Sequence, residues 1–168
     1  MHGSMRRRFL GRLGRWATAA SLATLGLFLR GAAPEAAGGV SGLDHVAVPM
    51  RDTEAMVGFY RALGFHVNEG RRICSVHFGD SKINFHRPAL WEDRQFTLRA
   101  PSALPPCGDF CFVWDGTEGE LLGALEGAGA EVIEGPVERI GGRDGGQARG
   151  ISRYVRDPDG NLLEFIIY

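Results

Sequence analysis

Glu164 is the lone carboxylate in the apolar run Leu162-Leu163-Glu164-Phe165-Ile166-Ile167 near the C-terminus. In an extended strand Leu162, Glu164 and Ile166 share one face, and Leu163, Phe165 and Ile167 the other. A carboxylate in so apolar a strand is costly unless a cation satisfies it. Four more polar side chains are set into apolar strands in the same way. They are His45 in Asp44-His45-Val46-Ala47-Val48, Asn84 and His86 in Lys82-Ile83-Asn84-Phe85-His86, and Asp109 in Gly108-Asp109-Phe110-Cys111-Phe112. Imidazole nitrogen with carboxylate oxygen suits iron, manganese, zinc, nickel or cobalt better than calcium. His45, Asp109, His86 and Glu164 are therefore candidate ligands of a divalent metal, and Glu164 and His86 candidate catalytic groups. Without a metal, His45 and Glu164 could form an ion pair, which alone would say little about function.

The elements that would position these residues occur twice. Residues 43–48 read as a strand ended by Pro49, and residues 51–63 as a helix. Asp52 or Thr53 can cap that helix, and Met56, Val57, Tyr60 and Leu63 recur at helical spacing. Gly64 follows as a C-terminal cap. Strands are expected at 65–68, 73–78 and 82–86. Residues 88–106 are proline-rich and irregular, a connector with Trp91 and Phe96 tucked against the body. The order then restarts, with a strand at 108–114 and a helix over 117–127 opened by a capping box from Thr117 to Glu120. A strand at 130–133, a glycine-rich loop over 135–150 and strands at 151–156 and 162–168 complete it. Arg156-Asp157-Pro158-Asp159-Gly160-Asn161 is the turn of the last hairpin, since Pro158 presets φ and Gly160 or Asn161 tolerates positive φ. Two β-α-β-β-β units in tandem mean a fold built from two copies. Equivalent strands place His45 opposite Asp109, and Asn84 and His86 opposite Glu164.

Composition sets bounds. The 168 residues, 44% hydrophobic, allow one domain or two small fused modules. A formal net charge of −1 leaves no nucleic-acid footprint. The three cysteines, Cys74, Cys107 and Cys111, have neither zinc-site spacing nor the even count of a disulfide framework. His66 and His77 have no partner suggested by pattern and read as surface residues. The glycine-rich stretch from 141 to 150 lacks a phosphate-loop pattern and reads as a mobile lid, with Arg143 or Arg149 available to an anionic substrate.

Residues 1–40 form a separate extension. Arg6, Arg7, Arg8, Arg12 and Arg15 precede an apolar run from 16 to 29 that is too short for a membrane span of roughly 20 residues. Arg6-Arg7-Arg8-Phe9-Leu10 resembles a twin-arginine export signal, and the arginine-rich, acid-poor composition equally fits a mitochondrial or plastid transit peptide. A chain in which this extension is not a working signal would stay in the cytoplasm.

Across residues 41–168 the chain resembles the vicinal-oxygen-chelate superfamily, which holds glyoxalase I, fosfomycin-resistance thiol transferases, extradiol dioxygenases and bleomycin-resistance proteins. The resemblance is carried by Leu43-Asp44-His45-Val46-Ala47-Val48, Phe59-Tyr60-Arg61-Ala62-Leu63-Gly64-Phe65, Lys82-Ile83-Asn84-Phe85-His86 and the segment from Arg156-Asp157-Pro158-Asp159-Gly160-Asn161 to Glu164. The Ile-Asn-Phe-His and Gly-Asp-Phe-Cys-Phe strands look most like the glyoxalase domain-containing protein 5 group. The resemblance implies an α+β fold of paired βαβββ modules, 41–87 and 107–168, forming an open cupped β-barrel with helices outside. It carries the superfamily's metal ligands onto His45 and Glu164. The second module's first ligand, usually His, falls on Asp109. The glutamate of glyoxalase I aligns with Asn84, with His86 two residues on along the same face. The full glyoxalase I ligand set is thus absent, which speaks against a glutathione–methylglyoxal lyase. The implied function is a small divalent-metal-dependent lyase or dioxygenase that binds a small-molecule substrate through vicinal oxygens. Asn84, Cys111 and Arg149 would contact that substrate. The alternative is a metal-free protein that sequesters a small molecule, as bleomycin-resistance proteins do. Homodimerisation is a further question the resemblance raises, since related proteins often complete or share their cups between chains.

Overall fold

The computed structural model describes residues 38–168, so the extension assigned to 1–40 lies almost wholly outside the described residues. The first module runs β1 (His45–Pro49), α1 (Thr53–Ala62), β2 (His66–Glu69), β3 (Ile73–Phe78) and β4 (Ser81–His86). A short helix, α2 (Pro88–Trp91), begins the connector. The second module runs β5 (Asp109–Val113), α3 (Glu118–Gly127), β6 (Glu134–Ile140), β7 (Arg149–Arg156) and β8 (Leu162–Ile167). Each module is a four-stranded mixed sheet, ordered β1-β4-β3-β2 and β5-β8-β7-β6, with the first strand parallel to the last. The sheets are cupped and do not close into a barrel, an α+β fold of two repeated modules.

Local chemistry accounts for most boundaries. Asp52 caps α1 by accepting the Ala55 N–H at 3.0 Å. Thr117 and Glu120 form the expected capping box at the start of α3. Gly64 follows α1 at φ 87°, where a side chain would be strained. One expectation fails. Residues 130–133 are not a strand, and β6 lies instead at 134–140, all but Glu134 inside the stretch read as loop. β6 is an edge strand paired only to β7, with a register shift between Glu134 and Val137. An edge strand tolerates Pro136 because its missing N–H breaks no second ladder. The loop that remains spans about 141–148. In the connector, Trp91 Nε1 donates to the Met50 carbonyl at 2.8 Å and Phe96 packs on His86, so both are tucked in as expected.

The helix-bearing faces of both sheets contribute to one apolar core. Met56, Val57 and Tyr60 of α1, Leu121 and Leu125 of α3, and Ile83, Phe85, Phe112, Leu163 and Phe165 of the strands are all buried in it. Phe112 meets Phe65 and Phe78 at centroid distances of 5.0 and 5.2 Å, which joins the modules. Polar ties reinforce the joint. Asp159, in the β7–β8 turn, accepts the Arg51 and Asp52 amides just before α1, and Tyr60 of α1 donates to Asp157 of the same turn. The two remaining sheet faces are open.

Candidate functional site

Register decides what those open faces carry. On the first sheet, His45 pairs with Lys82, Lys82 with His77, and His77 with His66, a row running across all four strands. The next row is Ala47, Asn84, Ser75 and Asn68, and then come Pro49, His86 and Ile73. On the second sheet the matching rows are Asp109, Leu162 and Arg156, then Cys111, Glu164, Tyr154 and Glu134, then Val113, Ile166 and Ser152. His45 is therefore the positional equivalent of Asp109, and Asn84 that of Glu164, as the repeat implies. One open face presents imidazoles and amides, the other carboxylates, a tyrosine and arginines.

Glu164 is half-buried and bonded on its own sheet, where Ser152 Oγ donates to Glu164 Oε1. Cys111 and Tyr154 flank it as direct cross-strand neighbours. Burial pushes the Cys111 thiol up to about 12, and the nearby Glu164 and Asp109 charges push the same way. Burial likewise raises the Tyr154 phenol, assisted by Glu164 and opposed by Arg139. Arg139 Nε donates to Tyr154 Oη at 3.0 Å, and its other end pairs with Glu134 at 3.1 Å. Asp109, Glu134, Arg139, Tyr154, Arg156 and Glu164 line a hollow of about 440 Å³. That volume lies within the usual range of small-molecule sites.

His45 is on the other sheet. Its Nδ1 pairs with Asp44 Oδ1 at 2.6 Å, and its side chain is 47% exposed. Burial, with Arg99 nearby, lowers the His86 imidazole, which stacks edge-on against Phe96 at 5.4 Å. Asn84 Oδ1 accepts from Ser75 Oγ at 2.8 Å. Within one chain the structure thus brings together Glu164, Asp109 and Cys111, and separately His45, Asn84 and His86. Among the described residues, no three His, Cys, Asp or Glu side chains converge closely enough to hold a metal ion. Arg149 is placed away from the hollow. It alternates with Gly150 and Ser152, so it lies on the helix-bearing face and pairs with Glu138.

Ser152, Tyr154, Arg139 and Glu134 were not singled out from sequence. Ser152 and Tyr154 carry the period-two signal of a strand face, and each falls opposite β8 once the last hairpin is paired in register. Arg139 and Glu134 were hidden by the misplacement of β6.

The fold and the composition of these faces define a class. The chain matches the Glyoxalase/Bleomycin resistance protein/Dioxygenase superfamily over residues 42–165 and belongs to that family. It is 35% identical over 134 residues to Glyoxalase domain-containing protein RDO1 of Mycosarcoma maydis, covering 77% of this chain and 69% of that protein. It is 33% identical over 128 residues to Virulence protein STM3117 of Salmonella typhimurium, covering 75% of this chain and 83% of that protein. The crystal structure of STM3117 superposes with a TM-score of 0.66, covering 77% of this chain and 98% of that one. A lactoylglutathione lyase from Agrobacterium tumefaciens, at 20% identity and a TM-score of 0.57 over 77% of this chain and 95% of that one, shares the fold. These relatives carry the superfamily and do not single out the glyoxalase domain-containing protein 5 group.

Proposed function

We propose that this protein is a small divalent-metal-dependent enzyme of its superfamily, acting on an oxygen-rich small molecule, with its site assembled between two copies of the chain. The observation that supports this reading is the split donor set: His45 and His86 on one open face, Asp109 and Glu164 on the other, with Asp109 at the level of His45 and Glu164 at that of Asn84, one row from His86. The donor chemistry fits iron, manganese, zinc, nickel or cobalt, while a single chain keeps the two halves apart. A first sheet facing the second sheet of a partner copy would unite His45 with Glu164 and Asp109, twice per pair of chains. Bound there, the metal would supply Lewis acidity to the substrate's oxygens.

The remaining work falls to this chain's own groups. Glu164, oriented by the Ser152 hydroxyl, is the proton acceptor in the hollow. Arg139 and Arg156 line the same space and favour a substrate carrying negative charge. The lowered His86 imidazole is held neutral near pH 7, the form that accepts a proton or coordinates.

A second reading has its own support. His45, Asn84 and Glu164 each already have a partner within one chain, as a metal-free binding protein of bleomycin-resistance type would require. Metal analysis separates the two. The purified protein is incubated with iron, zinc, manganese and nickel, freed of excess ion, and compared with His45→Ala and Glu164→Ala. Loss of about one metal equivalent per chain in the variants relative to the wild type supports the enzyme; wild-type protein that remains metal-free, or variants that keep the full wild-type content, overturn it.

A further inference from the structure

His66 in β2 and His77 in β3 are direct cross-strand partners, so their side chains stand next to each other on the open face of the first sheet. Their ring centroids are 5.4 Å apart, with planes inclined at 54°. Two residues along β2, on the same face, the Asn68 amide nitrogen lies 3.2 Å from His77 Nε2. We propose that His66 and His77, with Asn68, form a binding site for a divalent transition metal, separate from the site that would use His45 and Glu164.

The geometry carries the proposal. A zinc–nitrogen bond of about 2.0–2.1 Å puts the ion ~3.2 Å from an imidazole centroid, so rings at the observed spacing subtend roughly 115° at one ion, near the tetrahedral angle zinc prefers. Only side-chain torsions need adjust, since the strands already hold the two backbones in register. Asn68 offers a third ligand, because turning its amide over presents the carbonyl oxygen where the nitrogen now sits. Water would complete the sphere. The local charge is balanced: Lys82, the neighbour of His77 on β4, opposes a cation, while Asp44 and Asp80 line the same small hollow as His77 and Lys82. Within one chain His66 is exposed and His77 half-buried, and they lie at the β2 edge of the sheet, at the far side from His45 on β1, so an ion reaches them from that edge.

Zinc titration of the full chain tests this, with histidine ring signals followed by NMR. The His66 and His77 signals should shift together and saturate, and His66→Ala should abolish the response at His77, as His77→Ala should at His66. The doubly substituted His45→Ala/Glu164→Ala protein should keep the paired response, which distinguishes this site from the one proposed above. His66→Asn, a milder change at an exposed position, guards against a variant that merely misfolds, and it should also lose the response at His77. An unchanged His77 response in both His66 variants overturns the proposal. So does its disappearance in the folded His45/Glu164 double variant.

Discussion

Tyr60 Oη donates to the Asp157 carboxylate at 3.1 Å, tying α1 to the turn between β7 and β8. Both residues are buried. Asp157 also accepts the Asn161 backbone N–H and side-chain Nδ2, each at 2.8 Å. Burial nonetheless raises the Asp157 carboxyl, and the neighbouring Asp159 charge adds to the rise. The folded pKa therefore exceeds the unfolded value of about 3.9, so the folded protein binds this proton more tightly. That linked stability is fully present below the unfolded value and is lost as pH rises through the folded one. Asp157→Asn removes it and turns one acceptor into a donor aimed at Tyr60 or Asn161, for a loss of about 1–3 kcal/mol at neutral pH. Urea denaturation should show a larger loss at pH 4 than at pH 7; equal losses would contradict the linkage.

Asp159 does a different job in the same turn. Its two oxygens accept the Arg51 N–H at 2.5 Å and the Asp52 N–H at 2.9 Å, the amides that lead into α1. Asp159→Ala leaves both without an acceptor where the modules meet, and should cost about 1–3 kcal/mol. A change within about 0.5 kcal/mol in denaturant titration, the range of an ordinary surface substitution, would mean water replaces the carboxylate freely.

Cys111 keeps surface open to solvent, yet partial burial of its thiol beside the Glu164 and Asp109 charges makes it poorly reactive. The thiolate is the nucleophile, and a thiol held up to about 12 supplies very little of it near pH 7. Alkylation by iodoacetamide, followed by mass spectrometry, should be slow at Cys111. Glu164→Gln removes a neighbouring negative charge and should speed it. A wild-type rate equal to that of an unperturbed exposed cysteine would refute the assignment.

The last hairpin was legible because Pro158 and Gly160 mark its turn chemically and the apolar alternation after it is unbroken. The capping box of α3 and the pairing of His45 with Asp109 by repeat were legible for similar reasons, since each rests on local pattern. β6 was not, because Gly135 and Pro136 read as loop; they sit at the register shift between Glu134 and Val137, and only the pairing of the residues on either side to β7 defines the strand. Arg149 was placed beside the cavity for its charge alone, and a one-residue parity puts it on the opposite face. The separation of His45 from Glu164 was also beyond local pattern. It depends on how the modules join, through contacts such as Asp159 with Arg51 that span most of the folded chain.

That separation gives the sharpest test of a site shared between chains. If His45 of one copy meets Glu164 of another, a twofold pair contains two sites, each drawing its imidazole from one chain and its carboxylate from the other. In a His66→Asn background, which removes the separate site proposed on β2 and β3, His45→Ala and Glu164→Ala proteins should each bind no metal alone. In a mixed pair, both lesions fall into one site, and the other is built from the intact His45 of one chain and the intact Glu164 of the other. Co-expressing the two variants with different tags, and isolating the mixed species, should therefore recover about half of the metal content of the His66→Asn parent, following the symmetry of the pair. Sedimentation should show the wild type as a dimer. A mixed species with no metal, beside a metal-replete His66→Asn parent, would place both ligands in the same chain and rule out the shared arrangement.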